Sequence, residues 1–153
     1  TNSCMCQLIF SNIVVSLLKT HISLDEYKLN HLSGHIGHKL SKVRDVLITE
    51  FPKYILNSSV KLNYILMEMT KYKIGCCFFV NSDDILLGIL TDGDIRRLLL
   101  EKDDLKEITI NDINNQFYFE KDINKFLIDL DNIQYIPILE ENNKLIGIVN
   151  KFN

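Results

Sequence analysis

A chain of 153 residues, 46% of them apolar, has length for one ordinary domain or two very small ones and enough apolar material for a buried core, which excludes intrinsic disorder. Its 17 basic and 20 acidic side chains leave a net charge of −3, so it lacks the basic excess of a nucleic-acid binder. No run reaches the roughly 18 apolar residues that span a bilayer; the nearest, from Leu8 to Leu18, is interrupted by Ser11, Asn12 and Ser16 and reads as a buried helix.

Residues 1–40 read as one unit. Met5, Leu8, Ile9, Ile13, Val14, Val15, Leu17 and Leu18 make its helix apolar nearly all round, so protein is expected to surround it, supplied by the rest of the chain or by a domain upstream. The chain starts at Thr1 without the basic start or small-residue cleavage site of a signal peptide, and it reads as cut from something longer. In the stretch from His31 to Leu40, Gly34 and Gly37 interrupt any regular helix and mark a loop. They also prevent His31, His35 and His38 from sharing a helical face, and no nearby acid or cysteine completes a tetrahedral set, so no metal site is expected.

From Lys42 the sequence repeats at a spacing of roughly 60 residues. Val43-Arg-Asp-Val-Leu47 is echoed by Ile110-Asn-Asp-Ile-Asn114. Helix-period segments follow, with Leu62, Ile65, Leu66 and Met69 in the first copy and Ile123, Phe126, Leu127 and Leu130 in the second. Each leads into a hairpin. The strands are 75–80 and 85–90 around Asn81-Ser-Asp-Asp84, then 134–139 and 144–149 around Glu140-Glu-Asn-Asn143. The first copy continues into a helix from Asp94 to Leu100; the second stops at Asn153, where the matching helix is due. A unit of this size buries too little surface alone, so the copies are expected to pack face to face. Cys4 and Cys6, then Cys76 and Cys77, lack C-x-x-C spacing. Cys76 and Cys77 lie in an apolar strand and read as small buried hydrophobes, and reduced thiols fit a cytoplasmic protein. Asp92-Gly-Asp94 is similar to the start of a calcium loop but lacks its later ligands.

The segment Gly88-Ile-Leu-Thr-Asp-Gly-Asp-Ile95, following a hairpin, resembles the signature of the CBS domain. Leu86 to Arg97, with Met67-Glu-Met-Thr70 and Gly75, resembles more closely the CBS pair that ends arabinose 5-phosphate isomerases, in which a sugar isomerase (SIS) domain comes first. Two further segments are similar to that family. Thr1-Asn-Ser-Cys-Met-Cys-Gln-Leu8 is similar to its Thr/Ser-rich entry to the last SIS helix. The stretch His31 to Leu40 is similar to its His-Pro-Gly-Gly-x-Leu-Gly-Arg-Arg/Lys-Leu motif, with His31, Gly34, Gly37, Lys39 and Leu40 on matching positions and Leu32, Ser33, His38 and Asn12 departing from it.

The resemblance implies a mixed α/β chain of three parts: a SIS remnant at 1–40, a first CBS repeat at 41–105 and a second, truncated one at 106–153. It implies a parent enzyme that interconverts D-ribulose 5-phosphate and D-arabinose 5-phosphate for lipopolysaccharide octulosonate, needs no cofactor and assembles as a homo-oligomer; the chain alone would be inactive. Moving a carbonyl between adjacent carbons needs an acid-base group, and the resemblance gives that role to His31, with Thr1 and Ser3 at a helix start holding the sugar phosphate. It gives Thr91 and Asp94 to an adenine or sugar nucleotide, the hydroxyl on phosphate and the carboxylate on ribose. Arg96 and Arg97, next on the same helix, could reach a phosphate, with a solvated helix face as the competing reading. Helix capping by Thr91 and Asp94 is the competing reading. In the second repeat Asn150 and Asn153 replace them, so one ligand site at most is expected. The alternative to the isomerase is a free-standing CBS module that binds a nucleotide without catalysis.

Overall fold

The computed structural model describes residues 2–19, 38, 40–102 and 104–152, with the side chains of residues 2, 3 and 19 left aside. The chain divides into two compact units, Thr1–Ser41 and Lys42–Asn153. In the first, α1 (Asn2–Lys19) is a helix as expected, but Met5, Leu8, Ile9, Phe10, Ile13 and Leu18 on it are exposed rather than buried.

In the second unit, β1 (Lys53–Ile55) runs parallel to β3 (Cys76–Val80), which pairs antiparallel with β4 (Leu86–Thr91). Between β1 and β3 lie β2 (Ser59–Lys61) and α2 (Leu62–Tyr72), and α3 (Asp92–Glu101) follows β4. The second copy supplies β5 (Glu107–Thr109) and the hairpin of β6 (Tyr135–Leu139) and β7 (Leu145–Asn150). Both expected hairpins form. Their turns end on Asp84 and Asn143, each at positive φ, a conformation that short polar side chains tolerate.

All five residues of β3 are buried because the strand is covered on both faces. Cys76, Phe78 and Val80 join Leu139, Leu145 and Ile148 of the second hairpin in a shared core, with Phe51 edge-on to Phe78 at 5.4 Å. Cys77 and Phe79 face the other way, onto Leu62, Ile65 and Met69 of α2 and Ile95 of α3. The copies therefore meet through their sheets while the helices of the first copy stay outside. Burial pushes the Cys76 thiol up to about 12, with the Asp92 charge adding to the effect, so it packs as a hydrophobe.

Each copy lends its leading segment to the other. Ile48 exchanges both backbone hydrogen bonds with Ile148 of β7, at 2.8 and 2.9 Å, and Asn114 does the same with Ile89 of β4, at 2.9 Å each. In addition, β5 of the second copy pairs antiparallel with β2 of the first. The echoed Asp residues hold the turns of these segments: Asp45 accepts from Lys42 N at 3.2 Å, and Asp112 accepts from Thr109 N and Oγ1 at 2.9 and 2.8 Å.

The exchange also corrects one expectation. The periodic segment around Ile123–Leu130 is not an α-helix; only Leu127–Asp129 forms a short 3-10 turn. Its carbonyls are taken by the first copy, since Val43 N donates to Lys125 O and Arg44 N to Ile123 O, both at 2.9 Å, and a carbonyl so engaged is diverted from a helical i+4 bond. Leu127 and Leu130 are buried there, which accounts for the apolar period, while Ile123 and Ile128 are exposed.

Glycine marks both crossing points. A Cβ on Gly147 would lie 2.7 Å from Leu47 Cδ1 and 2.8 Å from Ile48 O, and one on Gly88 would lie 2.7 Å from Ile113 Cδ1 and 2.9 Å from Asn114 O. The crossing backbone cannot yield without breaking its own hydrogen bonds. Gly147→Val is therefore expected to destabilise the fold by about 1–3 kcal/mol in urea unfolding. Gly93→Ala, whose Cβ would find its nearest neighbour at 3.6 Å within a helix, should leave stability unchanged or raise it by up to about 1 kcal/mol.

Candidate functional site

The junction where β4 turns into α3 carries three of the expected ligand residues, Thr91, Asp94 and Arg96. The helix starts at Asp92 because Thr91 caps it: Thr91 Oγ1 accepts from Asp94 N at 3.2 Å, and Asp94 Oδ2 accepts from Thr91 N at 2.9 Å, a reciprocal capping box. Thr91 Oγ1 also donates to Asp94 Oδ2 at 2.6 Å, and Arg97 Nη2 ion-pairs with Asp94 Oδ1. Both carboxylate oxygens thus have partners within the junction. Arg97, one of the two arginines expected to reach a phosphate, is instead paired with Asp94, and the i,i+3 spacing is the signal for that pair. Arg96 is exposed and makes no hydrogen bond or ion pair with the described residues.

Asp94 is partly buried, which alone would favour its neutral form, but the Thr91 hydrogen bonds and the Arg97 charge outweigh this and hold its carboxyl below the ordinary range. The same balance holds Asp112 down, where burial is opposed by Lys102 and Thr109, and Glu120, where burial is opposed by Lys125 and the N–H groups of Asp122 and Lys121.

In the second copy the equivalent strand end differs. Lys151 N donates to Gln134 O at 2.9 Å, as Asp92 N donates to Gly75 O at 3.0 Å, so Lys151 stands where the first copy has Asp92. Its ammonium is buried and donates to the carbonyls of Leu130 and Asp131. Asn150 Oδ1 accepts from Phe152 N at 3.1 Å. The buried lysine was not anticipated; an apolar strand running into a lysine does not distinguish a buried ammonium from a solvated one. Asn153 falls outside the described residues.

Beside the first junction a cleft of about 280 Å³ is lined by Leu66, Met69, Thr70, Lys73, Ile74, Gly75 and Asp92. His31 and Thr1 lie outside the described residues, and Ser3 lies within α1 with its side chain outside them. Among the described residues no group of three or more His, Cys, Asp or Glu side chains is placed to hold a metal ion, and no helix is long and apolar enough to cross a membrane.

Residues 43–101 match the family model of the CBS domain. Among solved structures, the CBS domain pair of protein MJ0100, determined in complex with 5′-methylthioadenosine and S-adenosyl-L-methionine, superposes with a TM-score of 0.57 at 20% identity, over 73% of this chain and 90% of that one. The fold of the second unit is a CBS domain pair. An uncharacterised protein of Chlamydia muridarum is 41% identical over 104 residues, 66% of this chain and 32% of its own length. The arabinose 5-phosphate isomerase KdsD of Pseudomonas aeruginosa is 32% identical over 105 residues, 66% of this chain and 32% of its own. The chain thus spans about a third of the length of these curated relatives.

Within the CBS pair, the three lowered carboxyl groups fix how stability depends on pH. Each is harder to protonate folded than unfolded, so its contribution is complete above the unfolded value, about 4, and is lost as pH falls through the folded one. Urea midpoints are therefore expected to drop below pH about 4, and Asp112→Asn, which removes a carboxylate whose side chain is only 5% exposed, should flatten that drop while lowering stability at pH 7.

Proposed function

We propose that the chain is the C-terminal, sensing portion of an arabinose 5-phosphate isomerase, whose CBS pair binds one adenine or sugar nucleotide at the β4–α3 junction. The observation that carries the ligand reading is the geometry of that junction, where the hydroxyl of Thr91 and the carboxylate of Asp94 stand together at a helix start. The N-terminus of a helix favours an anion, and the Thr91 hydroxyl is placed to exchange its internal bond for one to phosphate. Asp94, released in part, accepts from the ribose hydroxyls, and Arg96, which no described acid engages, supplies a positive charge for the phosphate. Adenosine-containing ligands in a structural neighbour support this reading.

Calorimetric titration of ATP, AMP and a CMP-linked sugar should give saturable heat with one of them at a single site per chain. Asp94→Ala should weaken that binding at least tenfold; heat from none of the three, or unchanged affinity in the variant, removes the proposal.

The isomerase reading is supported by the KdsD relative and by the similarity of residues 1–40 to the end of a sugar isomerase domain. In the complete cytoplasmic homo-oligomer, His31 acts as the acid-base group of aldose-ketose interconversion while Thr1 and Ser3 help hold the phosphate. An assay of the complete gene product on D-ribulose 5-phosphate is expected to show turnover that His31→Ala lowers by about 10² to 10⁴. No turnover in a folded complete product leaves the free-standing nucleotide-binding module as the function.

A further inference from the structure

The cleft beside α3 is separate from the capping box in the groups it offers. Its floor is apolar, made by Met69 and Ile74, which are buried, and by Leu66. Its rim carries one acid and one base, Asp92 and Lys73, and neither side chain makes a hydrogen bond or ion pair with the described residues. The missing side chain at position 75 keeps the acid in place, since a Cβ there would lie 3.1 Å from Asp92 Oδ2. At about 280 Å³ the cleft falls just below the ~300 Å³ at which drug-sized ligands are usually held. It suits a smaller molecule.

The second repeat carries the opposite charge at this strand end. There the residue equivalent to Asp92 is Lys151, and its buried ammonium rests on the carbonyls of Leu130 and Asp131, at the end of the element that precedes β6. In the first repeat the element that precedes the hairpin is α2, which ends at Tyr72, with Lys73 N donating to the carbonyls of Met69 and Thr70. Where the second copy has an ammonium, the first has a carboxylate that lines a cleft.

We infer that this cleft binds a free apolar α-amino acid. Its ammonium pairs with Asp92; its carboxylate pairs with Lys73; its side chain lies on Leu66, Met69 and Ile74. Two opposite charges set on an apolar floor match a zwitterion with an apolar side chain, and they match neither a phosphate, which Asp92 repels, nor a simple metal ion, which Lys73 repels.

The inference does not rest on the nucleotide reading, and the test keeps them apart. The 153-residue chain is titrated with L-methionine and L-leucine, followed by calorimetry and by protein-observed NMR. Saturable binding is expected from at least one of them. N-acetyl-L-methionine, which lacks the ammonium, and L-methioninamide, which lacks the carboxylate, should each bind at least tenfold more weakly. Because these comparisons use the unaltered protein, they hold even if a variant folds poorly. Asp92→Asn, checked for folding by circular dichroism, should weaken amino-acid binding at least tenfold. No saturable binding of either amino acid, or equal binding of the N-acetylated form, overturns the inference and leaves the nucleotide titration unaffected.

Discussion

The exchange of leading segments between the two copies is the constraint on which the rest of this unit depends. Ile48 on β7 and Asn114 on β4 each extend the edge of the other copy's hairpin; β1 already flanks the first hairpin, whereas the sheet of the second has two strands. A two-stranded hairpin is marginal in water, and a third segment with an apolar face is what makes it hold. The shared core of Phe78, Val80, Leu139 and Ile148 then has two walls set at a fixed register. Gly88 and Gly147 are the places where that register leaves no room for a side chain.

Much of this was legible in the residues. The continuous apolar run of β3, the polar turns ending at Asp84 and Asn143, and the glycines of the two LxGI strands all announce paired hairpins, because apolar runs and turn chemistry are local properties. The segment Ile123–Leu130 was not legible. Its apolar spacing suits a helix, but its backbone carbonyls are claimed by Val43 and Arg44 from far away in sequence, and no local pattern reports a long-range hydrogen bond. The fate of α1 was half legible: its helical nature follows from composition, whereas what faces its apolar side chains does not.

At the junction, sequence identified Thr91 and Asp94 but left capping and ligand binding undecided, and the reason is physical. Both tasks use the same groups: a hydroxyl and a carboxylate satisfying free N–H groups at a helix start. The structure gives capping as the resting arrangement, with Arg97 holding the carboxylate from the other side. A ligand at Thr91 and Asp94 must compete with these internal bonds, which sets a threshold on its affinity. The two copies differ at this strand end, where Lys151 is buried in one and Asp92 is exposed in the other.

One consequence follows from how α3 is moored. Just before its start, Ile89 is stapled to Asn114; past its end, Lys102 ion-pairs with Asp112, and both Asn114 and Asp112 belong to the stretch by which the second copy begins. The helix is in effect a strut with both feet on one cable. Any tilt of α3 at Thr91 must tug on residues 112–114 and so be felt in the other half of the molecule, with no change in the packed interior between them.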